Sequence, residues 1–283
     1  MDILLENQAF CESPRWRDGW LYYSDFYDQC VWKVNLLGQK VLITKLDDQP
    51  SGLGWLPDKS LLVVSMRKRK IVRICQHGNQ STYADLSNLT KFNCNDMVVD
   101  NIGRAYVGNF GYRNKTENIF LGTNLFLVNN KETKVLNCEL TFPNGMVIFP
   151  DGKTLVVAET YAHRLSAFDI DTNGGLKNKR LWAQLPTKNI EYLPTPDGIC
   201  LDAEGAIWVA SPNTYEVLRL QEGGKVIDKI SLDTKAFACM LGGSNGLKLF
   251  ILTNKTSNRQ KCLNERSGKI LVTDVNVPGV GLP

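Results

Sequence analysis

An apolar strand led by a polar or glycine-containing turn occurs six times along the 283 residues. The segments are 20–24, 61–65, 105–109, 155–159, 207–211 and 249–253. Aligned on Tyr23, Val64, Val107, Val157, Val209 and Leu252, they recur at intervals of 41, 43, 50, 52 and 43 residues. That interval holds four short strands with their turns, the length of one propeller blade. Following strands at 31–34, 71–74, 125–128, 165–168 and 217–220 support this, several alternating apolar and polar residues. No segment keeps a helical period beyond two turns, so the helices of a TIM barrel or a dinucleotide-binding fold are missing. A β-helix would repeat at a shorter interval. The pattern predicts an all-β fold, a six-bladed β-propeller with four antiparallel strands per blade. It spans 1–283 as one domain and closes by pairing residues 6–11 with 269–275.

Composition narrows the function classes. The formal net charge of +4 is small for a nucleic-acid binder. The basic run at residues 67–70 sits between two strands and reads as a solvated hairpin. No apolar run approaches the length of a membrane span. Residues 1–6 lack a basic segment followed by a long apolar one, so no secretion signal is expected. Without one, the sequons at Asn88, Asn114 and Asn254 carry little weight. The eight cysteines are scattered without a Cys-x-x-Cys pair, and there are only two histidines. Reduced thiols in a cytoplasmic monomer are expected, not a Cys/His zinc site.

One position of the repeat is special. About eight residues before each turn stand Glu12, Ser51, Asn95, Asn144 and Asp197, and the sixth blade falls near Ala238. The contexts match: Glu12-Ser13-Pro14, Ser51-Gly52-Leu53, Asn95-Asp96-Met97, Asn144-Gly145-Met146 and Asp197-Gly198-Ile199. In a propeller, such positions begin the innermost strands and converge on the central channel. Two carboxylates and two amides would then share a narrow space. Buried carboxylates are costly unless neutralised, and a hard cation with oxygen ligands neutralises them directly. The other reading is that these residues cap strands or turns, since Asn-Gly and Asp-Gly are turn dipeptides.

The chain resembles the regucalcin/gluconolactonase (senescence marker protein) family. The residues that carry the resemblance are Glu12-Ser13-Pro14-Arg15-Trp16, Asn95-Asp96, Phe142-Pro143-Asn144-Gly145-Met146, the run from Pro196 to Ala210, and the tail from Val277 to Pro283. They occur in order over essentially the whole chain. The resemblance implies a six-bladed propeller lactonase with one catalytic divalent metal held by Glu12, Asn144 and Asp197. It implies that Asn95 faces metal and substrate and that Asp197 transfers the proton. Two positions depart from sugar-lactone members. Asn93 stands where those members carry an Arg, and Arg113 stands near an expected acidic residue. Both positions face substrate in those members, which puts gluconolactone-like substrates in doubt.

The residue types suit opening of a small-molecule lactone. Calcium is the expected ion, with zinc, magnesium or manganese as alternatives. Such an ion polarises the carbonyl, and three protein ligands leave it open positions. Asp197 is expected as general base, with Glu12 mainly a ligand. His77 reads as solvent-facing, and His163 as only a minor candidate for the channel rim. Cys11 and Cys94 read as packing residues. No Gly-x-Ser-x-Gly elbow or phosphate loop is present. The alternatives are a binding module with a structural metal, and a related metal-dependent esterase or phosphotriesterase.

Overall fold

The computed structural model describes residues 1–111, 122–130, 132–186 and 191–280. Among them the strands form six sheets of four, a six-bladed β-propeller. The innermost strands are Cys11–Arg17, Pro50–Trp55, Cys94–Val99, Pro143–Ile148, Ile199–Leu201 and Lys235–Gly242. Each is followed in its blade by an antiparallel neighbour: Trp20–Asp25, Leu61–Ser65, Ala105–Asn109, Thr154–Glu159, Ile207–Ser211 and Lys248–Asn254. These six second strands contain the six repeats. Each innermost strand packs against those of the two adjacent blades, and blade 6 meets blade 1.

Burial falls outward along each blade. Cys94–Val99 and Pro143–Ile148 are buried along their whole length, whereas the outer strands Lys40–Lys45 and Val226–Ser231 are largely exposed. The apolar residues therefore meet between blades. Val31, Leu53 and Val63 pack at the 1/2 interface, Val64, Met97 and Val107 at 2/3, and Tyr106, Met146 and Val157 at 3/4. Each such side chain contributes about 1.5–3 kcal/mol by leaving water. All six tryptophans lie in strands.

Closure differs in extent from the sequence expectation. The N-terminal strand is Asp2–Gln8, and it pairs with Gly268–Asp274 as the outermost strand of blade 6. Cys11 already belongs to the innermost strand of blade 1. The cause is Asp25, whose carboxylate accepts from the Ala9 N–H at 3.0 Å and the Phe10 N–H at 2.9 Å. Those bonds turn the chain away from the closing strand before Cys11.

All eight cysteines are free thiols. Residues 66–69 form a hairpin turn as expected, and Lys68 and Lys70 pair with Asp47 and Asp85. No helix among the described residues is long and apolar enough to cross a membrane. Asn254 is 1 % exposed, so that sequon is shielded in the fold.

Candidate active site

The innermost strands lose regular pairing at the repeat-equivalent position. Register breaks fall between Glu12 and Arg15, Pro50 and Leu53, Cys94 and Met97, and Pro143 and Met146. An extra residue on one strand re-aims its side chain. In blade 5 the ladder starts at Ile199, and Asp197 is held earlier by its N–H donating to the Ala210 carbonyl at 3.0 Å.

The glycines at these positions are not turn residues. A Cβ at Gly52 would lie 2.3 Å from the Met97 N, at Gly145 2.6 Å from the Ile199 N, and at Gly198 2.6 Å from the Ala238 Cβ. Asn144-Gly145 and Asp197-Gly198 are where neighbouring inner strands reach backbone contact, which only glycine permits.

The structure brings Glu12, Asn95, Asn144 and Asp197 to one cavity of about 760 Å³. They are 8, 5, 8 and 8 % exposed. Ser51 and Ala238, the other two equivalent positions, are buried outside its lining, and Gln49 and Phe237 take their place. Asn93 is half-buried and does not line the cavity; its carbonyl accepts from the Phe110 N–H at 3.0 Å. Arg113 lies outside the described residues. His163 is also absent from the lining, its Nδ1 2.9 Å from the Pro194 carbonyl, and His77 is exposed.

Both amides spend their nitrogen on the fold. Asn95 Nδ2 donates to the Pro143 carbonyl at 3.2 Å, and Asn144 Nδ2 donates to Thr160 Oγ1 at 3.2 Å. Thr160 in turn donates to the Pro196 carbonyl at 2.8 Å. The amide oxygens are left as the acceptor ends.

The two carboxylates repel each other's charge. Burial pushes the Glu12 carboxyl well above the usual carboxylate range, and Asp197 and Asp96 add to the rise. The Ser13 N–H at 3.2 Å and Arg15 oppose it. Burial also pushes Asp197 well up, reinforced by Asp96 and opposed by the Asn144 side chain. Among the described residues neither carboxylate forms a salt bridge; Arg15 is paired with Asp96 at 3.0 Å.

A second set of polar residues fixes the segments that lead into the site. The last residue of every second strand is polar and buried: Asp25, Ser65, Asn109, Glu159, Ser211 and Asn254. Ser65 Oγ donates to Asp48 at 2.7 Å, Glu159 Oε2 accepts from the Thr141 N–H at 2.8 Å, and Ser211 Oγ accepts from the Thr195 N–H at 3.1 Å. Each bond anchors the chain just before an innermost strand.

The residue after this polar end lines the cavity in five blades: Phe26, Met66, Phe110, Thr160 and Pro212. Phe10, Phe142, Tyr161 and Phe237 complete an aromatic wall. Polar lining gathers at blades 5 and 6, with Thr195, Asn213, Lys235 and the segment 257–260. Thr195 is 3 % exposed and its Oγ1 has no hydrogen-bond partner among the described residues. Sequence reasoning missed the wall and Thr195, although five lining residues one past a repeat strand were a usable signal for part of it.

Comparison with known proteins agrees with this architecture. The sequence profile of the SMP-30/gluconolactonase/LRE-like region matches residues 10–255. The chain belongs to this family. The 6-deoxy-6-sulfogluconolactonase of Pseudomonas putida is 25 % identical over 289 aligned positions, covering 99 % of this chain and 96 % of that one. Regucalcin of Macaca fascicularis is 24 % identical, covering 98 % and 95 %. The crystal structure of a calcium-binding regucalcin from Agrobacterium tumefaciens superposes with a TM-score of 0.81 at 20 % identity, over 99 % of this chain and 95 % of that one. At that identity the superposition speaks for the fold, which the SMP-30/gluconolactonase/LRE-like chains share.

Proposed function

We propose that this protein is a divalent-metal-dependent lactone hydrolase. One observation carries the reading: two buried carboxylates without a salt-bridge partner among the described residues, with two amides whose nitrogens are already used, line one cavity. Oxygen donors with excess negative charge fit a hard divalent cation. Glu12, Asn144 and Asp197 would hold it, with Asn95 beside them. Such an ion supplies Lewis acidity to an ester carbonyl and balances the carboxylates' charge.

The protein's own groups supply the rest. Asp197 accepts the proton of the attacking water as its oxygen adds to the lactone carbonyl, then returns a proton to the leaving alkoxide when the ring bond breaks. Glu12 keeps the cavity anionic, and the amide oxygens of Asn95 and Asn144 add acceptors without adding charge. The relatives named as a sugar lactonase and as calcium-binding support both parts of the reading.

The test is a lactone panel assayed after chelation and after return of calcium, magnesium, manganese or zinc. Turnover should vanish on chelation and recover with at least one ion. Hydrolysis unaffected by exhaustive chelation would refute metal dependence. No hydrolysis with any ion would point instead to a binding module.

A further inference from the structure

The cavity wall is more specific than lactone chemistry requires. Its volume of about 760 Å³ lies in the range that receives a drug-sized ligand. Phe237 of blade 6 packs edge-on against Phe10 of blade 1 at 4.8 Å, and Phe10 packs against Phe26 at 5.5 Å. Met66 of blade 2 joins this buried cluster, and Phe110 of blade 3 packs on it. Phe110 stacks on Phe142 of blade 4 at 4.8 Å with 9° between the rings, and Tyr161 closes the row at 4.9 Å from Phe142. The apolar arc thus runs over five of the six blades.

This arc sits around the Glu12, Asn95, Asn144 and Asp197 group. A polyhydroxylated ring with its carbonyl at that group would turn hydroxyls onto phenyl faces. Those hydroxyls would lose water without gaining a partner. Outside the Glu12, Asn95, Asn144 and Asp197 group, the described arc offers Gln49, Thr160 and two tyrosine hydroxyls, and most of the other polar lining lies at blades 5 and 6, where Lys235 Nζ already donates to the Pro212 carbonyl at 3.2 Å. An arene, by contrast, meets ring edges and faces that favour stacked and edge-on packing.

We infer that the substrate is a lactone bearing an aryl group, received by the Phe10, Phe26, Phe110, Phe142, Tyr161 and Phe237 arc. The inference rests on the lactonase reading and specifies its substrate class. Three lactones of the same ring size separate the possibilities: δ-valerolactone (bare), dihydrocoumarin (aryl-fused) and glucono-δ-lactone (polyhydroxylated).

The metal-loaded protein should show a KM for dihydrocoumarin about 10-fold or more below that for δ-valerolactone, with gluconolactone the poorest substrate. Intrinsic reactivity differs among these esters, so the variants carry the comparison. Phe110→Leu and Phe237→Leu keep apolar volume and should raise KM for dihydrocoumarin about 3- to 10-fold, with δ-valerolactone moved less than about 2-fold. Thermal melting checks that both fold. A second measurement needs no variant and no turnover: calorimetric binding of 3,4-dihydroquinolin-2-one should exceed that of δ-valerolactam. A preference for gluconolactone, equal effects of the variants on both lactones, or equal lactam binding would overturn the aryl assignment while lactone hydrolysis stands. Failure to hydrolyse all three with every ion would remove the lactonase reading and this one with it.

Discussion

Arg15 Nη2 lies 3.0 Å from Asp96 Oδ1, joining blade 1 to blade 3 beside the cavity. The side chains are 4 % and 9 % exposed. The same guanidinium donates to the carbonyls of Pro14 at 2.8 Å, Leu53 at 3.0 Å and Met97 at 2.5 Å. It therefore stitches three innermost strands and neutralises one carboxylate of three. Among the described residues Glu12 and Asp197 are left as the uncompensated pair, which is what makes the channel a cation site in the proposed reading.

Removing Arg15 should be severe. Arg15→Met leaves Asp96 buried and unpaired beside two more carboxylates. Loss of one partner of a buried pair costs about 3–5 kcal/mol. Urea unfolding should show a lower midpoint, and Asp96→Asn in the same chain should recover part of the loss. A cost below about 1 kcal/mol would show that the pair does not organise the channel.

Asp197 and Glu12 should separate by kinetics. Asp197→Asn keeps a carbonyl oxygen but cannot accept a proton at neutral pH. It should lower lactonase kcat on the order of 10²–10⁴-fold, as expected for loss of a general base. Glu12→Gln should chiefly weaken metal affinity, with kcat recovering at excess ion. The measurement is kcat across a metal titration with bound metal quantified separately. Full rescue of Asp197→Asn by metal would leave Asp197 a ligand only.

The propeller was legible because its repeat is a matter of strand length and turn chemistry, both local. Glu12, Asn95, Asn144 and Asp197 were legible because equivalent repeat positions converge by geometry. Asn93, two residues before Asn95, lies outside the cavity lining, although Phe10 and Phe142 at the same offset in blades 1 and 4 line it. The Asn-Gly and Asp-Gly dipeptides admitted a turn reading until the approach of the adjacent inner strand was visible. Arg15 and Asp96 pair over 81 residues of sequence, a contact no local pattern reports. The closing pair was legible, but its strand ends at Gln8 and not at Cys11, where the Asp25 side chain reaches back to Ala9 and Phe10, a contact that is likewise tertiary.

Thr195 should matter to substrate more than to the fold. Its Oγ1 is buried at the cavity without a hydrogen-bond partner among the described residues, whereas its backbone N–H is bound by Ser211. Thr195→Val keeps the shape and removes the hydroxyl. Stability should hold within about 0.5 kcal/mol or rise, since no bond is broken. If the hydroxyl contacts substrate, kcat/KM should fall about 5- to 20-fold, one hydrogen bond to a neutral group. An unchanged kcat/KM on a good substrate would assign Thr195 to packing.

Glu159 sets an acid limit on the blade that carries Asn144. Its side chain is fully buried; burial pushes the carboxyl up, but Arg164, Ser166 and the Thr141 N–H together outweigh it, and Lys179 assists. The net shift is below the ordinary glutamate value of 4.5. A carboxyl held below its unfolded value contributes stability that is complete above that value and is lost as pH falls through the folded one. The wild type should therefore exceed Glu159→Gln by about 1–3 kcal/mol at pH 7. That advantage should shrink only below about pH 4.5, as the native carboxyl is protonated. Chemical denaturation of both proteins at a series of pH values measures the difference directly, and other titrating groups cancel between them. Because Glu159 precedes Thr160, the partner of Asn144, the variant should also weaken metal binding at neutral pH. A stability difference that stays constant down to pH 3 would show that the fold does not lower the Glu159 carboxyl below its unfolded value.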